Sequence, residues 1–238
     1  MLAESGDLCQ GPRNPFEALT PEQREKVFAQ ATHRPFQRGA AIFSQGEAHQ
    51  GIFLIQSGRV RVFYVSPSGR EITLAYWGAG HFVGGPDLFG GVHAWSGEAV
   101  LSGAVYFLEG QSLRRLAREM PDLALGLLDA LAFKGRCYST MAQMLGTRSV
   151  TERLAHVLLH LCRAYGVAQR DGVLIGDSFT HVELANLIGS TRQWVTTSLR
   201  RLQDQGALSC GAGTILVHRP DVLAHILDAP GARKQPGD

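Results

Sequence analysis

The chain has 238 residues, 45% of them apolar, so it can bury one large core or two small ones, and wholesale disorder is excluded. Its 23 lysines and arginines against 21 aspartates and glutamates leave a formal charge of +2, so any basic surface that meets nucleic acid has to be local. No segment reaches the ~18 uninterrupted apolar residues of a membrane span, and the beginning of the chain lacks the basic and apolar regions of a secretory leader; a cytoplasmic chain with no membrane partner is expected.

Residues 1–15 and 229–238 are Gly/Pro-rich and polar, and mobile tails are expected there. Cys9, Cys137, Cys162 and Cys210 form no Cys-x-x-Cys pair, which argues against a zinc ribbon or a disulfide framework and for inert thiols. Half of the 28 glycines fall between Gly39 and Gly110, where short apolar or β-branched runs alternate with turn signals. Ile52-Phe53-Leu54-Ile55 stops at Ser57-Gly58, Val60–Phe63 runs to Pro67-Ser68-Gly69, and Ile72–Tyr76 runs to Gly78-Ala79-Gly80. Strands spaced this closely predict an antiparallel jelly roll or barrel.

From Pro121 the period becomes helical, with Leu131, Tyr138 and Leu145 recurring at sevens. Of the two ways to complete the heptad seam, Leu128, Gly135 and Ala142 are preferred over Leu127, Lys134 and Met141, because the latter set would bury a lysine. A helix this long predicts a two-chain coiled coil with Leu128, Leu131, Tyr138 and Leu145 in the interface, against the opposing reading of a helix packed on its own barrel. A second helix is expected from about Ser149 to Tyr165, ended by Gly166, and a short β segment after Gly172.

Thr180-x-x-Glu183 and Ser190-x-x-Gln193 both fit the capping-box pattern, so two short helices are expected on either side of Gly189. Leu184, Ile188, Val195, Leu199 and Leu202 supply their shared core, Ala185 is small at the crossing, and Gly189 suits a left-handed turn. A 100° step per residue then turns Gln193, Thr197 and Arg200 outward, with Thr196 on the shoulder and Thr191 and Arg192 at the helix start. Arginine and glutamine pair bidentately with guanine and adenine edges, and threonine hydroxyls suit phosphates. The opposing readings are that Gln193 only completes the cap and that Arg200 and Arg201 are ordinary solvated charges. Ala207–Cys210, a Gly211-Ala212-Gly213 turn and Thr214–Val217 read as a wing hairpin.

An enzyme or metal protein on a cupin-type barrel is the competing class, but its residues are missing. Only His49, His81 and His93 lie in the β region, with no close His-x-His pair, and His156 and His160 flank Val157 where a metalloprotease needs glutamate. No catalytic or metal-ligating residue is assigned.

In order and spacing, Gly46-Glu47, Phe53-Leu54-Ile55-x-x-Gly58-x-Val60, Gly69-Arg70-Glu71-Ile72-x-Leu74, Gly80-His81-Phe82-Val83-Gly84 and Leu184–Gln193 resemble the CRP/FNR regulator family over roughly residues 16–225. The resemblance implies an α+β chain: a jelly-roll (double-stranded β-helix) sensor over 16–120, a dimerisation helix over 121–146 and a winged helix-turn-helix over 147–228. It also implies a homodimer that binds double-stranded DNA at a palindromic operator, answers a small-molecule effector and meets RNA polymerase. The recognition helix is most similar to that of the carbon monoxide-sensing haem regulator. Thr197 stands where many relatives have a guanine-reading arginine, so the operator is expected to differ at that base pair, and Ser198 is more polar than the residue usual there.

The effector pocket, by the same resemblance, comprises Gly84, Gly85, Pro86, Trp95 and Ser96 with Tyr138 and Ser139 of the long helix. Cyclic-nucleotide members place a glutamate and an arginine where this chain has Gly85 and Trp95. Losing the charge-assisted pair to the cyclic phosphate costs ~2–5 kcal/mol, so cyclic AMP is not the expected effector. An uncharged or aromatic molecule, a haem-bound gas, or no ligand with Trp95 filling the site remain. No cofactor is expected; a haem would need ligands other than the usual positions, which are Val83 and Gly85 here, such as His81, His93 or Cys137. With only Cys9 near the N-terminus, an iron–sulfur cluster is not expected.

Overall fold

The computed structural model describes residues 14–69, 71–175, 179–211 and 213–228, so Cys9, Arg70, Ala212 and all of the two expected tails but Asn14 and Pro15 lie outside the described residues. The chain divides into two compact units, Met1–Met141 and Ala142–Asp238.

The first unit opens with α1 (Pro21–Phe28), started by a complete capping box between Thr20 and Gln23. Eight strands follow: β1 (Ala31–Phe36), β2 (Ala41–Phe43), β3 (Ala48–His49), β4 (Gly51–Val65), β5 (Glu71–Gly78), β6 (Phe82–Val83), β7 (Gly91–Val92) and β8 (Ser96–Glu109). The main sheet runs β1-β8-β4-β5 and is wholly antiparallel, with β2 on the early part of β8 and β6 on the early part of β4; β3 and β7 form a separate pair. This is the jelly-roll domain expected. The two strands read separately at Ile52–Ile55 and Val60–Phe63 are one long strand, since β4 passes the Ser57-Gly58 signal by shifting register against β8 instead of turning.

β4 explains the two cores. Its alternation sends Ile52 and Leu54 to one face and Phe53 and Ile55 to the other, and all four are buried. Ile52 and Leu54 join Phe16, Leu108, Leu113 and Leu123 against the helices, whereas Phe53 and Ile55 join Phe43, Val60, Trp77 and Val105. Each such side chain contributes ~1.5–3 kcal/mol when fully buried. Arg61, also buried, is held by Thr73 Oγ1 at 2.8 Å and by the Glu71 carboxylate at 2.6 Å, which ties β4 to β5.

Two helices complete this unit: α2 (Gly110–Glu119) and the first six turns or so of α3 (Pro121–Thr147). Gly126 lets α3 approach the chain entry, because a Cβ there would stand 2.2 Å from the Pro15 carbonyl. The premise that Lys134 avoids burial is corrected: only 7% of it is exposed, as it turns toward its own sheet beside Trp77 and Phe82. The exposed stripe of α3 runs through Leu125, Leu128, Ala132, Gly135, Ser139, Ala142 and Gly146, with Leu125 59% and Leu128 61% exposed. Leu131, Tyr138 and Leu145 are only partly exposed.

The second unit contains α4 (Val150–Tyr165), the hairpin β9 (Gly166–Gln169) and β10 (Gly172–Ile175), α5 (His181–Ile188), α6 (Arg192–Asp204), β11 (Leu208–Cys210), β12 (Ile215–Val217) and α7 (Pro220–Asp228). Its sheet runs β11-β12-β10-β9, so the wing hairpin continues across β10. His218 bridges the Asp171 carbonyl at 2.8 Å and Ser209 Oγ at 3.0 Å. No described helix is long and apolar enough to cross a membrane.

Candidate effector cavity and nucleic-acid interface

α5 begins with the expected capping box, Thr180 with Glu183, and ends at Gly189, whose φ of +65° is the left-handed conformation the turn requires. The second expected box does not form. Thr191, not Ser190, caps α6, accepting the Trp194 N–H at 3.2 Å, and the side chain of Gln193 is exposed. The reading of Gln193 as a capping group is therefore corrected: the helix starts one residue later, which puts Gln193 at the second helical position.

Val195, Leu199 and Leu202 point inward onto Leu184, Ala185 and Ile188, all of them buried. Arg192, Gln193, Thr197 and Arg200 are exposed on the opposite face. Thr196 is also exposed but its hydroxyl is committed, donating to the Arg192 carbonyl at 2.9 Å and accepting from His181 Nδ1 at 2.8 Å. Ser198 is half-buried. Arg153, which sequence reasoning did not single out, closes the end of α5: its Nη1 donates to the Ile188 carbonyl at 3.0 Å and its Nε to the Arg148 carbonyl at 2.9 Å. This satisfies a helix-end acceptor that would otherwise lack a partner.

In the first unit a cavity of about 150 Å³ lies between the sheet and α3, lined by Val62, Trp77, Phe82, Val83, Gly84, Gly85, Pro86, Trp95, Leu131, Lys134, Gly135 and Tyr138. Trp95 lines the cavity and packs on Tyr138, ring centroids 5.7 Å apart, without closing it. Ser96 is elsewhere, its Oγ accepting the Gln45 N–H at 3.0 Å, and Ser139 is exposed on the other side of α3. Gly84 and Gly85 adopt φ of +133° and +144° over the buried His49 ring, so neither position takes a side chain without strain.

Lys134 is the cavity residue that the heptad argument set aside. Leu131, Lys134, Gly135 and Tyr138 recur at helical spacing and all line the cavity, a signal masked by assigning that stripe to the partner helix. Its Nζ stands 3.4 Å from the Trp77 ring centroid, and burial holds its amine down at about 7, with Cys137 pulling weakly the other way. Tyr138 is pushed up to about 12 by burial, the Trp77 indole N–H offsetting part of this without closing a well-formed hydrogen bond. His93 is tied to the Gly84 carbonyl and packs with its ring tilted against His49, and burial keeps both rings below the usual histidine range. None of His81, His93 and Cys137 lines the cavity, which is benzene-sized rather than tetrapyrrole-sized, so the residues do not fit a haem there. Among the described residues no metal-ligand cluster occurs, and Cys137, Cys162 and Cys210 form no disulfide.

Residues 33–120 match the cyclic nucleotide-binding domain and residues 152–226 the Crp-like helix-turn-helix domain. A jelly-roll sensor followed by a winged helix-turn-helix defines a DNA-binding transcription regulator. The cyclic AMP receptor protein of Thermus thermophilus is 31% identical over 212 residues, covering 89% of this chain and 95% of its own. The global nitrogen regulator of Synechocystis is 30% identical, covering 79% of this chain and 85% of its own. In fold, a CooA variant from Carboxydothermus hydrogenoformans matches with a TM-score of 0.76 at 22% identity, over 90% of this chain and 95% of the other. The c-di-GMP responsive regulator CLP of Xanthomonas campestris matches at 0.74 and 21%, over 84% and 99%. The chain belongs to the CRP/FNR family of transcription regulators.

Proposed function

We propose that this regulator acts in the cytoplasm as a homodimer that reads a palindromic operator through α6 and is switched by a small molecule held in the sheet–α3 cavity. The observation that carries the DNA half is the exposed face of α6, where the side chains of Arg192, Gln193, Thr197 and Arg200 have no hydrogen-bond partner among the described residues while Thr191 and Thr196 spend their hydroxyls on the helix pair. Arg192 and Gln193 supply the base-edge donors, Thr197 reads the neighbouring pair and Arg200 meets phosphate. The exposed Leu125 and Leu128 side of α3 supplies the face that a second copy covers, setting the half-sites about 10 bp apart. RNA polymerase is the partner of the DNA-bound dimer.

Selection of duplexes from a random library, followed by titration at several salt concentrations, tests this. A palindrome is expected. Arg192→Ala should lose ~1–3 kcal/mol on the selected operator and relax one base pair per half-site, while Arg200→Ala should weaken all sequences alike and flatten the salt dependence. Equal losses on operator and random DNA for Arg192→Ala would remove it as a base reader.

A further inference from the structure

The cavity carries one feature that DNA binding does not use: a buried amine set among aromatic rings. Lys134 is 7% exposed, lines the cavity, and among the described residues no carboxylate pairs with it. Arg61 is already satisfied by Glu71 and Thr73, His81 packs tilted on Trp77 and stacks on Phe133, and Cys137 one turn along α3 offsets the effect of burial on Lys134 only in part. A buried amine without an anion is costly, and the cost is removed if an anion arrives with the ligand.

We propose that the cavity takes a small aromatic carboxylate, with its ring between Trp77, Phe82 and Trp95 and its two oxygens held by Lys134 Nζ and the Tyr138 hydroxyl. This rests on reading the cavity as the effector site and names the chemistry of what fills it. The volume of about 150 Å³ is that of a cavity that admits one benzene ring, too small for a purine, a ribose and a phosphate together. Lys134 and Tyr138 lie four residues apart on one face of α3 and both line the cavity, so one ligand can meet both polar groups. Two donors match the two oxygens of a carboxylate, whereas a phosphate would leave further oxygens against Val62, Val83 and Leu131. A neutral arene would fill the ring slot yet leave the amine alone.

The protons balance simply. The carboxylate arrives ionised, the phenol of Tyr138 stays protonated well above neutrality, and Lys134, poised at about 7, takes one proton from solvent as the ion pair forms. No other bond changes. Binding therefore strengthens as pH falls toward 7 from the alkaline side, and Leu131, Gly135 and Tyr138 carry the occupied state to α3, whose exposed face is the proposed dimer surface.

Titration calorimetry of the full chain with benzoate, and with benzamide as its uncharged counterpart, tests the proposal in buffers of different ionisation enthalpy at about pH 6.5 and about pH 8.5. Benzoate should bind with uptake of up to one proton and weaken by up to about tenfold per pH unit above neutrality. Lys134→Met should lose at least about tenfold in benzoate affinity and keep or gain benzamide affinity, since an apolar side chain of similar length fills the same space. Tyr138→Phe should lose less and keep the pH dependence; circular dichroism and melting establish that both variants are folded. No benzoate binding to wild type at about 10 mM, equal benzoate affinity in Lys134→Met, or binding without proton uptake each overturns the proposal. Arg192→Ala should bind benzoate like wild type. Proton-linked benzoate binding that leaves operator affinity unchanged would support the ligand chemistry and overturn the switching role of the cavity.

Discussion

Neighbouring threonines on α6 have opposite duties. Thr196 spends its hydroxyl on the Arg192 carbonyl and His181, whereas Thr197, one step of 100° further round, is exposed with no such bond among the described residues. Thr196→Val should therefore cost ~1 kcal/mol in the melting of the DNA-binding unit and leave the selected operator sequence unchanged. Thr197→Val should leave melting unchanged and alter preference at one base pair per half-site; the reverse pattern in a duplex selection would exchange their roles. Gly189 has a backbone duty alone. With φ at +65°, Gly189→Ala should lose about 1–2 kcal/mol of stability through left-handed strain, read by thermal denaturation.

α3 serves two surfaces at once, and its period decides which residue belongs to which. Lys134 and Tyr138 line the cavity of their own unit, and Leu131 and Gly135 share that face, while Leu125, Leu128 and the small residues at 132 and 142 stay exposed. Leu128→Asp should consequently dissociate the dimer with the sensor fold intact, measured by sedimentation and circular dichroism, because its side chain touches little within the chain. Leu131→Asp should damage the cavity and the melting temperature first. A Leu128→Asp protein that still sediments as a dimer would place the interface on another face.

Over the whole molecule, buried amines and imidazoles make stability depend on pH in one direction. Lys134 is held at about 7 against an ordinary 10.5, so the unfolded chain binds more protons between these values and stability rises with pH across that window. His156 on α4 is held at about 4 by burial and by the positive charges of Arg148, His160 and Arg163, against an ordinary 6.5. Its stabilising neutral form is present above about 6.5, and the contribution is lost as pH falls toward 4. Melting followed against pH should show the sensor unit gaining stability from pH 7 to about 10, with that gain abolished in Lys134→Met, and the DNA-binding unit losing stability below about pH 6.5, with that loss reduced in His156→Gln. A pH profile unchanged by either substitution would contradict the burial-driven shifts.

The pattern of apolar residues and turn signals sufficed for the class of fold and for the inward and outward faces of α6, because these depend on local periodicity and on capping chemistry within a few residues. Gly189, the Thr180–Glu183 box and the wing were legible for that reason. Tertiary structure decided what local spacing cannot weigh. The cap of α6 moved from Ser190 to Thr191, β4 bent through Ser57-Gly58 in place of turning, and Lys134 went inward, where Trp77 and Phe82 shelter it. A heptad lists which residues share a face of a helix; only the sheet packed against α3 determines which of its faces is left for a second chain, and which encloses a cavity with a lysine in its wall.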